Sequence, residues 1–456
     1  MQEQLTIFDT NQYTKITEIK ELSRTSDFQY IHCQEQIPLD LQDGSFISIT
    51  RKNPLKIYTL GFQPAKTIPE IPRWFLNKYG HSEMTILEPF SGSGTTLIES
   101  LMYGASVYWL DYHPLSRLIC QVKTTLVDPI LVMEEALKVL EKACLQKEIT
   151  STVSFSNKDF WFQKPVQDAL ETLRQNILEA DPKSQPVLWL IFSLTVRKTS
   201  NMNDGMILAA KRSNFKEVPR RSRQDVFDYF RLYLDKTIEA LLEWLFYLKK
   251  CNQKAQCLSS TDARYLEGNW NCDAVITSPP YINAIDYIWA SKFELHWLKM
   301  VENDQARLEL YSQEIGTERI AKKEIKELGK TGYELIDLLI EDIYYGKKYK
   351  ASKGQNELRA RVVYKYFMDM KTHFESSFKH LKPGGYYCFS IGDVSKICGV
   401  DIPVASILTD LAYSVGFRKQ FHFHLLLKNR RLNLPRNVDW AGTIKHDTIV
   451  VLDKPN

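Results

Sequence analysis

Short apolar runs bounded by glycine, proline or an acid recur along this chain, with longer stretches of helical spacing between them. Ile86-Leu87 leads into Glu88-Pro89, Ala105-Ser-Val-Tyr-Trp-Leu110 ends on Asp111, and Asp273-Ala-Val-Ile-Thr277 ends on Ser278-Pro279. Runs of this length read as strands buried on both faces, the pattern of a mostly parallel sheet. A further strand is expected to end near Thr261-Asp262-Ala263-Arg264. Leu381-Lys-Pro-Gly384-Gly385 followed by Tyr-Tyr-Cys-Phe-Ser-Ile391 reads as a helix end, a glycine turn and a fifth strand. Two more apolar runs, Phe421 to Leu427 and Thr448 to Leu452, lie in the tail from Gly416 to Lys454. Met133 to Lys142 and Val226 to Asp235 carry amphipathic helical spacing instead, and Val187 to Leu194 reads as a core helix. Strands alternating with helices predict an α/β fold built on a doubly wound, mostly parallel sheet.

Composition narrows the class only slightly. With 456 residues, 44% hydrophobic and 25% charged, the chain is long enough for more than one ordinary domain and buries a full core. A net charge of +4 places any affinity for nucleic acid in local clusters rather than in global attraction. The eight cysteines form no Cys-x-x-Cys pair and no metal-ligand spacing, so a reducing compartment and no metal site are expected. Nothing at the N-terminus has the pattern of a signal peptide, and Val187 to Leu194, the longest strongly apolar run, is far too short to cross a bilayer. The expected location is the cytoplasm, with no membrane partner.

The chemistry concentrates at strand ends. Ser278-Pro279-Pro280-Tyr281 is a rigid turn: two prolines fix two φ angles and remove two N–H donors, which leaves carbonyls turned toward a cleft. Those carbonyls and the Ser278 hydroxyl can accept from an amino group, and Tyr281 offers a flat ring on which an extruded base can stack. Glu88-Pro-Phe90-Ser-Gly92-Ser-Gly94-Thr95-Thr96 reads as strand end, glycine turn and helix start, where the backbone approaches a ligand and helix N–H groups face an anion. No Lys follows Gly94, which excludes the Walker loop, and Leu97 stands where the dinucleotide fingerprint needs its third Gly. Asp111, at the next strand end, is placed to hold ribose hydroxyls.

Together these segments resemble the S-adenosylmethionine-dependent DNA methyltransferases that modify exocyclic amino groups. Glu88 to Thr96 is similar to that family's motif I, Asp111 to its motif II acid, Asp262 to its motif III acid and Ser278 to Tyr281 to its catalytic motif IV. Gly61-Phe-Gln-Pro64-Ala65-Lys66 resembles motif X, which closes over the methionine end of the cofactor. Tyr281 to Ile288 and Tyr311 to Arg319, with Ile315-Gly-Thr-Glu-Arg319, resemble stretches beside the active site in a subset of these enzymes. The resemblance implies a Rossmann-like, seven-stranded sheet with an antiparallel terminal hairpin and helical insertions, and S-adenosyl-L-methionine as cofactor. It implies catalysis by Ser278, Pro279, Pro280 and Tyr281. It further implies cofactor contacts from Pro64, Lys66, Glu88, Phe90, Gly92, Gly94, Thr95, Asp111, Tyr112, Asp262 and Ala263. Family members with Ser first in motif IV mostly modify cytosine N4, whereas Asp or Asn goes with adenine N6. The alternatives are an adenine N6 enzyme, an RNA amino-group methyltransferase and a silent nucleic-acid-binding subunit. No Pro-Cys dipeptide occurs, which argues against the cytosine-C5 relatives. Double-stranded DNA with a specific target site and a cognate restriction endonuclease are the partners implied.

The motif order divides the chain into an N-terminal extension (1–50), a first catalytic part (51–127), a helical insertion (128–254), a second catalytic part (255–301), a charged insertion (302–361) and a third catalytic part (362–456). The insertion between Asp111 and Asp262 sits where the family's α group carries its target-recognition region. At its centre Lys211, Arg212, Lys216, Arg220, Arg221 and Arg223 form a Pro-broken basic loop suited to phosphates, although a solvated charge run has the same composition. Arg430 and Arg431 form a second basic turn, which in the family lies beside the flipped base, although a solvated basic turn fits these residues at least as well. Gln4-Leu-Thr-Ile-Phe8 resembles the short peptide with which bacterial DNA enzymes dock on the replication sliding clamp. Its alternation of polar and apolar residues is better accounted for by an N-terminal strand or a segment packed on the domain.

Overall fold

The computed structural model describes residues 30–50, 54–147, 149–203, 206–209, 218–282, 285–352, 354–427 and 444–456. Eleven strands are present among them: β1 (Ile31–Gln34), β2 (Ser45–Thr50), β3 (Thr85–Glu88), β4 (Ser106–Trp109), β5 (Ala255–Cys257), β6 (Cys272–Thr277), β7 (Leu381–Gly392), β8 (Val394–Ile397), β9 (Val400–Pro403), β10 (Arg418–Leu426) and β11 (His446–Asp453). Nine form one sheet in the order β1-β2-β10-β11-β7-β6-β3-β4-β5, while β8 and β9 pair separately. From β7 to β5 every pairing is parallel. β11 runs antiparallel to both β7 and β10, which makes β10 and β11 the terminal hairpin. The expected α/β class is present, and the sheet is wider than seven strands because β1 and β2, from the segment read as an N-terminal extension, add in parallel to β10.

Two sequence expectations need correction. The third strand stops at Cys257, short of Thr261, because Leu258 makes the last bond to Trp109 and the chain then turns away. The Gly384-Gly385 pair lies within β7 instead of in a turn before it. There the register against β6 slips between Cys272 and Ala274, and Gly384 takes φ of 73°.

Strand alternation sorts the core onto two faces. Ile86, Ala274, Ile276, Ile449 and Val451 face Trp74 and Phe75 of helix Glu70–Tyr79 and Leu97 of helix Thr95–Tyr103. Leu87, Val275, Tyr387, Phe389, Val450 and Leu452 face Phe367, Met370 and Phe374 of helix Gln355–His380 and Leu408 of helix Val404–Val415. A third core holds the helices between Asp128 and Lys254. Asp128 caps Pro129–Leu145 by accepting from Ile130, a Ser222–Asp225 capping box opens Arg223–Leu248, and Val226, Phe230, Leu234, Ile238 and Leu241 of that helix form its buried stripe. Helix Gln185–Thr199 buries Val187, Leu188, Leu190 and Ile191 there, each side chain contributing roughly 1.5–3 kcal/mol of apolar burial. No helix among the described residues is long and apolar enough to cross a membrane.

Sheet order places the site. From β3 the chain goes to β4 and β5 on one side, then returns to β6 and β7 on the other. The order therefore reverses between β3 and β6, and a crevice opens outside their carboxyl ends. Those ends are Glu88 and Thr277.

Candidate functional site

A cleft of about 550 Å³ opens at that switch point, a volume suited to a small cofactor together with part of a substrate. Lys66, Glu88, Phe90, Gly92, Thr95, Asp111, Tyr112, Ala263, Ser278, Pro279, Pro280 and Tyr281 all line it, so segments far apart in sequence meet in one cavity. Pro64, Gly94 and Asp262 lie outside its lining.

The glycine turn is shaped by its backbone. Gly92 and Gly94 take φ of 48° and 76°, conformations that side chains with a β-carbon resist. Ser91 Oγ donates to the Leu110 carbonyl at 2.8 Å and Gly94 N to the Ser91 carbonyl at 2.7 Å, which ties the turn to the end of β4. Asp111 completes the tie: its Oδ2 accepts from Gly92 N at 2.7 Å and its Oδ1 from His113 N at 2.8 Å. Burial raises its pKa to about 6 against the pull of those N–H groups. Glu88 bridges the two arms of the switch point by accepting from Thr277 Oγ1 and, at 3.0 Å, from Phe90 N. Burial is the largest influence on it too, pushing its pKa to about 7.

Lys66 reaches across from the segment before helix Glu70–Tyr79, its Nζ donating to the carbonyls of Tyr58 and Gly61 at 3.2 and 3.3 Å. The Phe90 ring packs on His373 at 4.8 Å, and His373 Nδ1 lies 2.8 Å from the Ala263 carbonyl. The Asp262 carboxylate is held by the Arg264 guanidinium, with its closest contact at 2.6 Å.

The opposite wall carries the Ser278 turn. Ser278 Oγ donates to the Ser390 carbonyl of β7 at 3.0 Å, which uses its one proton and leaves oxygen lone pairs for a donor in the cleft. Tyr281 lies against Gly392, where a β-carbon would come 3.2 Å from the ring, and its hydroxyl donates to Asp447 Oδ1 at 2.5 Å. Asp447 and Gly392 are cross-strand partners on β11 and β7, so one rung of the sheet seats both ends of the ring.

Two acids in this cleft were missed by sequence reasoning. Asp447 is the second residue of β11, just before the apolar run Thr448 to Leu452, where a lone acid carries no motif. Glu314 lies within Tyr311 to Arg319, whose resemblance was noted without assigning it a role. It accepts from the Tyr112 hydroxyl at 2.8 Å, and burial lifts its pKa to about 8. Of the basic residues, Lys211, Arg212, Lys216, Arg430 and Arg431 lie outside the described residues, as does the 4–8 segment. Arg220 is exposed, whereas Arg221 sits over the Tyr229 ring at 5.4 Å. Arg223 donates to the carbonyls of Ala143 and Gln146, a contact that ties helix to helix.

No family model matches the chain. The Type II methyltransferase M.MvaI of Kocuria varians is 24% identical over 421 residues, covering 82% of this chain and 85% of that protein. M.BsoBI of Geobacillus stearothermophilus, also a Type II methyltransferase, is 25% identical over 432 residues, with 85% and 83% covered. The Type II methyltransferase M.AvaI of Nostoc sp. is 22% identical over 419 residues, with 78% and 81% covered. Along most of its length the chain is thus similar to distantly related Type II methyltransferases.

Proposed function

We propose that this chain transfers a methyl group from S-adenosylmethionine to the exocyclic amino nitrogen of a base flipped out of DNA, with cytosine N4 as the target. The observation that carries the reading is the Ser278 hydroxyl: its proton is committed to Ser390, so toward the cleft its oxygen acts as an acceptor beside the Tyr281 ring. An amino group conjugated to a ring is a poor nucleophile because its lone pair is delocalised. Acceptors in the ring plane, Ser278 Oγ and the Pro279 carbonyl, hold its hydrogens and favour the pyramidal nitrogen whose lone pair attacks in line. Tyr281, seated by Gly392 and Asp447, fixes the plane of the stacked base.

The cleft suits the cofactor because Gly92, held at positive φ, leaves the turn without a side chain where a ligand must approach the backbone. Lys66 would face its anionic end, and Phe90, Asp111 and Tyr112 its adenosine. When bound, S-adenosylmethionine supplies an electrophilic methyl group on sulfur. Similarity to Type II methyltransferases supports DNA as substrate and a restriction endonuclease with the same target site as partner. The helical segment 128–254 is then the candidate reader of DNA sequence, and Ser at position 278 favours cytosine over adenine by resemblance.

Nucleoside mass spectrometry of unmethylated plasmid DNA, incubated with the protein and methyl-labelled cofactor, tests this. Labelled N4-methylcytosine is expected. Labelled N6-methyladenine would move the target base, and no labelled nucleoside would overturn the reading.

A further inference from the structure

Glu314 is a buried carboxyl group that the sheet does not supply. It comes from the charged insertion, lines the cleft and is 4% exposed. One of its oxygens, Oε1, accepts from two segments far apart in sequence. The Tyr112 hydroxyl, next to Asp111 beyond the end of β4, reaches it at 2.8 Å. The backbone N–H of Tyr287 reaches it at 3.3 Å; Tyr287 opens helix Tyr287–Ala290, and the first N–H of a helix has no partner within the helix. Tyr112 and Tyr287 both line the cleft. Glu314 therefore ties the β4 side of the cavity to the segment that follows the Ser278–Tyr281 turn.

The chain around Glu314 is fixed at several points. Arg264 Nη2 donates to the Ser312 carbonyl at 2.6 Å, and Glu318 and Glu327 pair with Arg359 and Arg361 of helix Gln355–His380, the second pair at 3.2 Å. Asp286, which caps helix Tyr287–Ala290 by accepting from Trp289 N at 2.7 Å, also accepts from the Tyr311 hydroxyl at 2.7 Å. Gly316, at φ of 83°, runs so close to the turn that a β-carbon would stand 3.6 Å from the Tyr281 carbonyl and 3.3 Å from the Tyr366 ring. This part of the insertion is thus a pinned strap laid against the Ser278–Tyr281 turn.

In-line transfer needs sulfur, methyl and base nitrogen aligned, and a misplacement of about 1 Å costs rate. We propose that Glu314 is a positioning residue: by holding Tyr112 and Tyr287 on one oxygen, it sets the distance between the bound cofactor and the base that Tyr281 stacks. This rests on the methyltransferase reading above. The role needs an acceptor and not a charge. Burial, reinforced by the nearby Asp286 carboxylate, raises the Glu314 pKa to about 8, so near neutral pH the group is mostly the uncharged acid. Gln reproduces its shape, its neutrality and its accepting oxygen, whereas Met reproduces only its length.

Single-turnover transfer of labelled methyl to saturating DNA, run beside calorimetric titration of the full chain with S-adenosylhomocysteine, tests this. Glu314→Met should lower the rate about tenfold, while affinity stays within about threefold of wild type and stoichiometry stays at about one site per chain. Glu314→Gln should hold the rate within about threefold of wild type. Tyr112→Phe removes one of the two donors and should also slow transfer, and adding it to Glu314→Met should cost less than about twofold more. A merely structural role would reduce stoichiometry and rate together, and that result would overturn the proposal. So would a Glu314→Met rate within about twofold of wild type, or equal losses in Glu314→Gln and Glu314→Met. If Glu314→Met does not fold, Tyr112→Phe decides alone, and a wild-type rate there would overturn the proposal. All of these outcomes leave the methyltransferase reading intact; no transfer by wild type would overturn both.

Discussion

The two walls of the cleft are built on different physical principles. The wall formed by the ends of β3 and β4 holds Glu88 and Asp111, buried carboxyl groups whose partners are mostly main-chain N–H groups. The wall formed by β6, β7 and β11 presents a hydroxyl, two prolines and an aromatic ring toward the cleft, each set by a neighbouring strand. The first wall is electrostatic and responds to charge and pH. The second is geometric, so the shape of a single hydroxyl or ring decides its effect. Binding of a charged cofactor and alignment of a neutral base should therefore separate cleanly under mutation.

The harshest way to break the first wall is Gly92→Val. A β-carbon there makes only ordinary contacts, with Gln63 Nε2 at 3.5 Å and the Phe90 carbonyl at 3.8 Å, so the penalty comes from the φ of 48° and from filling the ligand's side of the turn. S-adenosylhomocysteine binding should fall below detection by calorimetry while DNA binding in gel shift persists. Ser278→Ala attacks the second wall. Losing one positioned acceptor should cost about 3 kcal/mol in the transition state, roughly a hundredfold in single-turnover rate. Cofactor affinity should stay within about twofold of wild type.

Tyr281→Phe removes only the hydroxyl that Asp447 holds. A rate loss near tenfold is expected, worth about 1.4 kcal/mol, and Asp447→Asn should add little in that background if the two act as a unit. A full multiplication of the two effects would separate them.

Glu88→Gln sharpens the contrast through pH. Because burial raises the Glu88 pKa from 4.5 to about 7, the native state binds its proton more tightly than the unfolded chain. Stability from this group is greatest below pH 4.5 and declines as pH rises toward about 7, by at most about 1.4 kcal/mol per pH unit. Denaturant titrations across that range should show a shallower decline in the variant. The smallest effect concerns DNA. Arg220→Ala should reduce the salt slope of binding by about one phosphate contact. Arg223→Ala should lower Tm without changing that slope, since Arg223 is engaged with the carbonyls of Ala143 and Gln146.

Legibility in the sequence followed the same division. The glycine turn and the Ser278 loop were readable because both depend on backbone chemistry that few residue types supply, and Gly92 and Ser278 line one cleft. The sheet's parallel part was readable from apolar runs, and the terminal hairpin from what the family resemblance implies for the two runs in the tail. The edge strands β1 and β2 were not, because Ile31–Gln34 and Ser45–Thr50 are short and mixed in polarity and gain their place by pairing with β10. Asp262 was readable as an acid near a strand end, but not as the partner of Arg264, two residues along. Asp447 and Glu314 act through tertiary contacts with residues distant in sequence, and no local pattern announces such contacts. Arg223 shows the converse: a basic run suggested phosphate binding, while the fold engages that side chain between helices.

The separation of the two walls is tested most directly by measuring S-adenosylhomocysteine affinity and single-turnover methyl transfer to DNA in wild type and Ser278→Ala side by side. The account predicts unchanged affinity with a rate about a hundredfold lower. Affinity and rate falling together, or a rate equal to wild type, would contradict it.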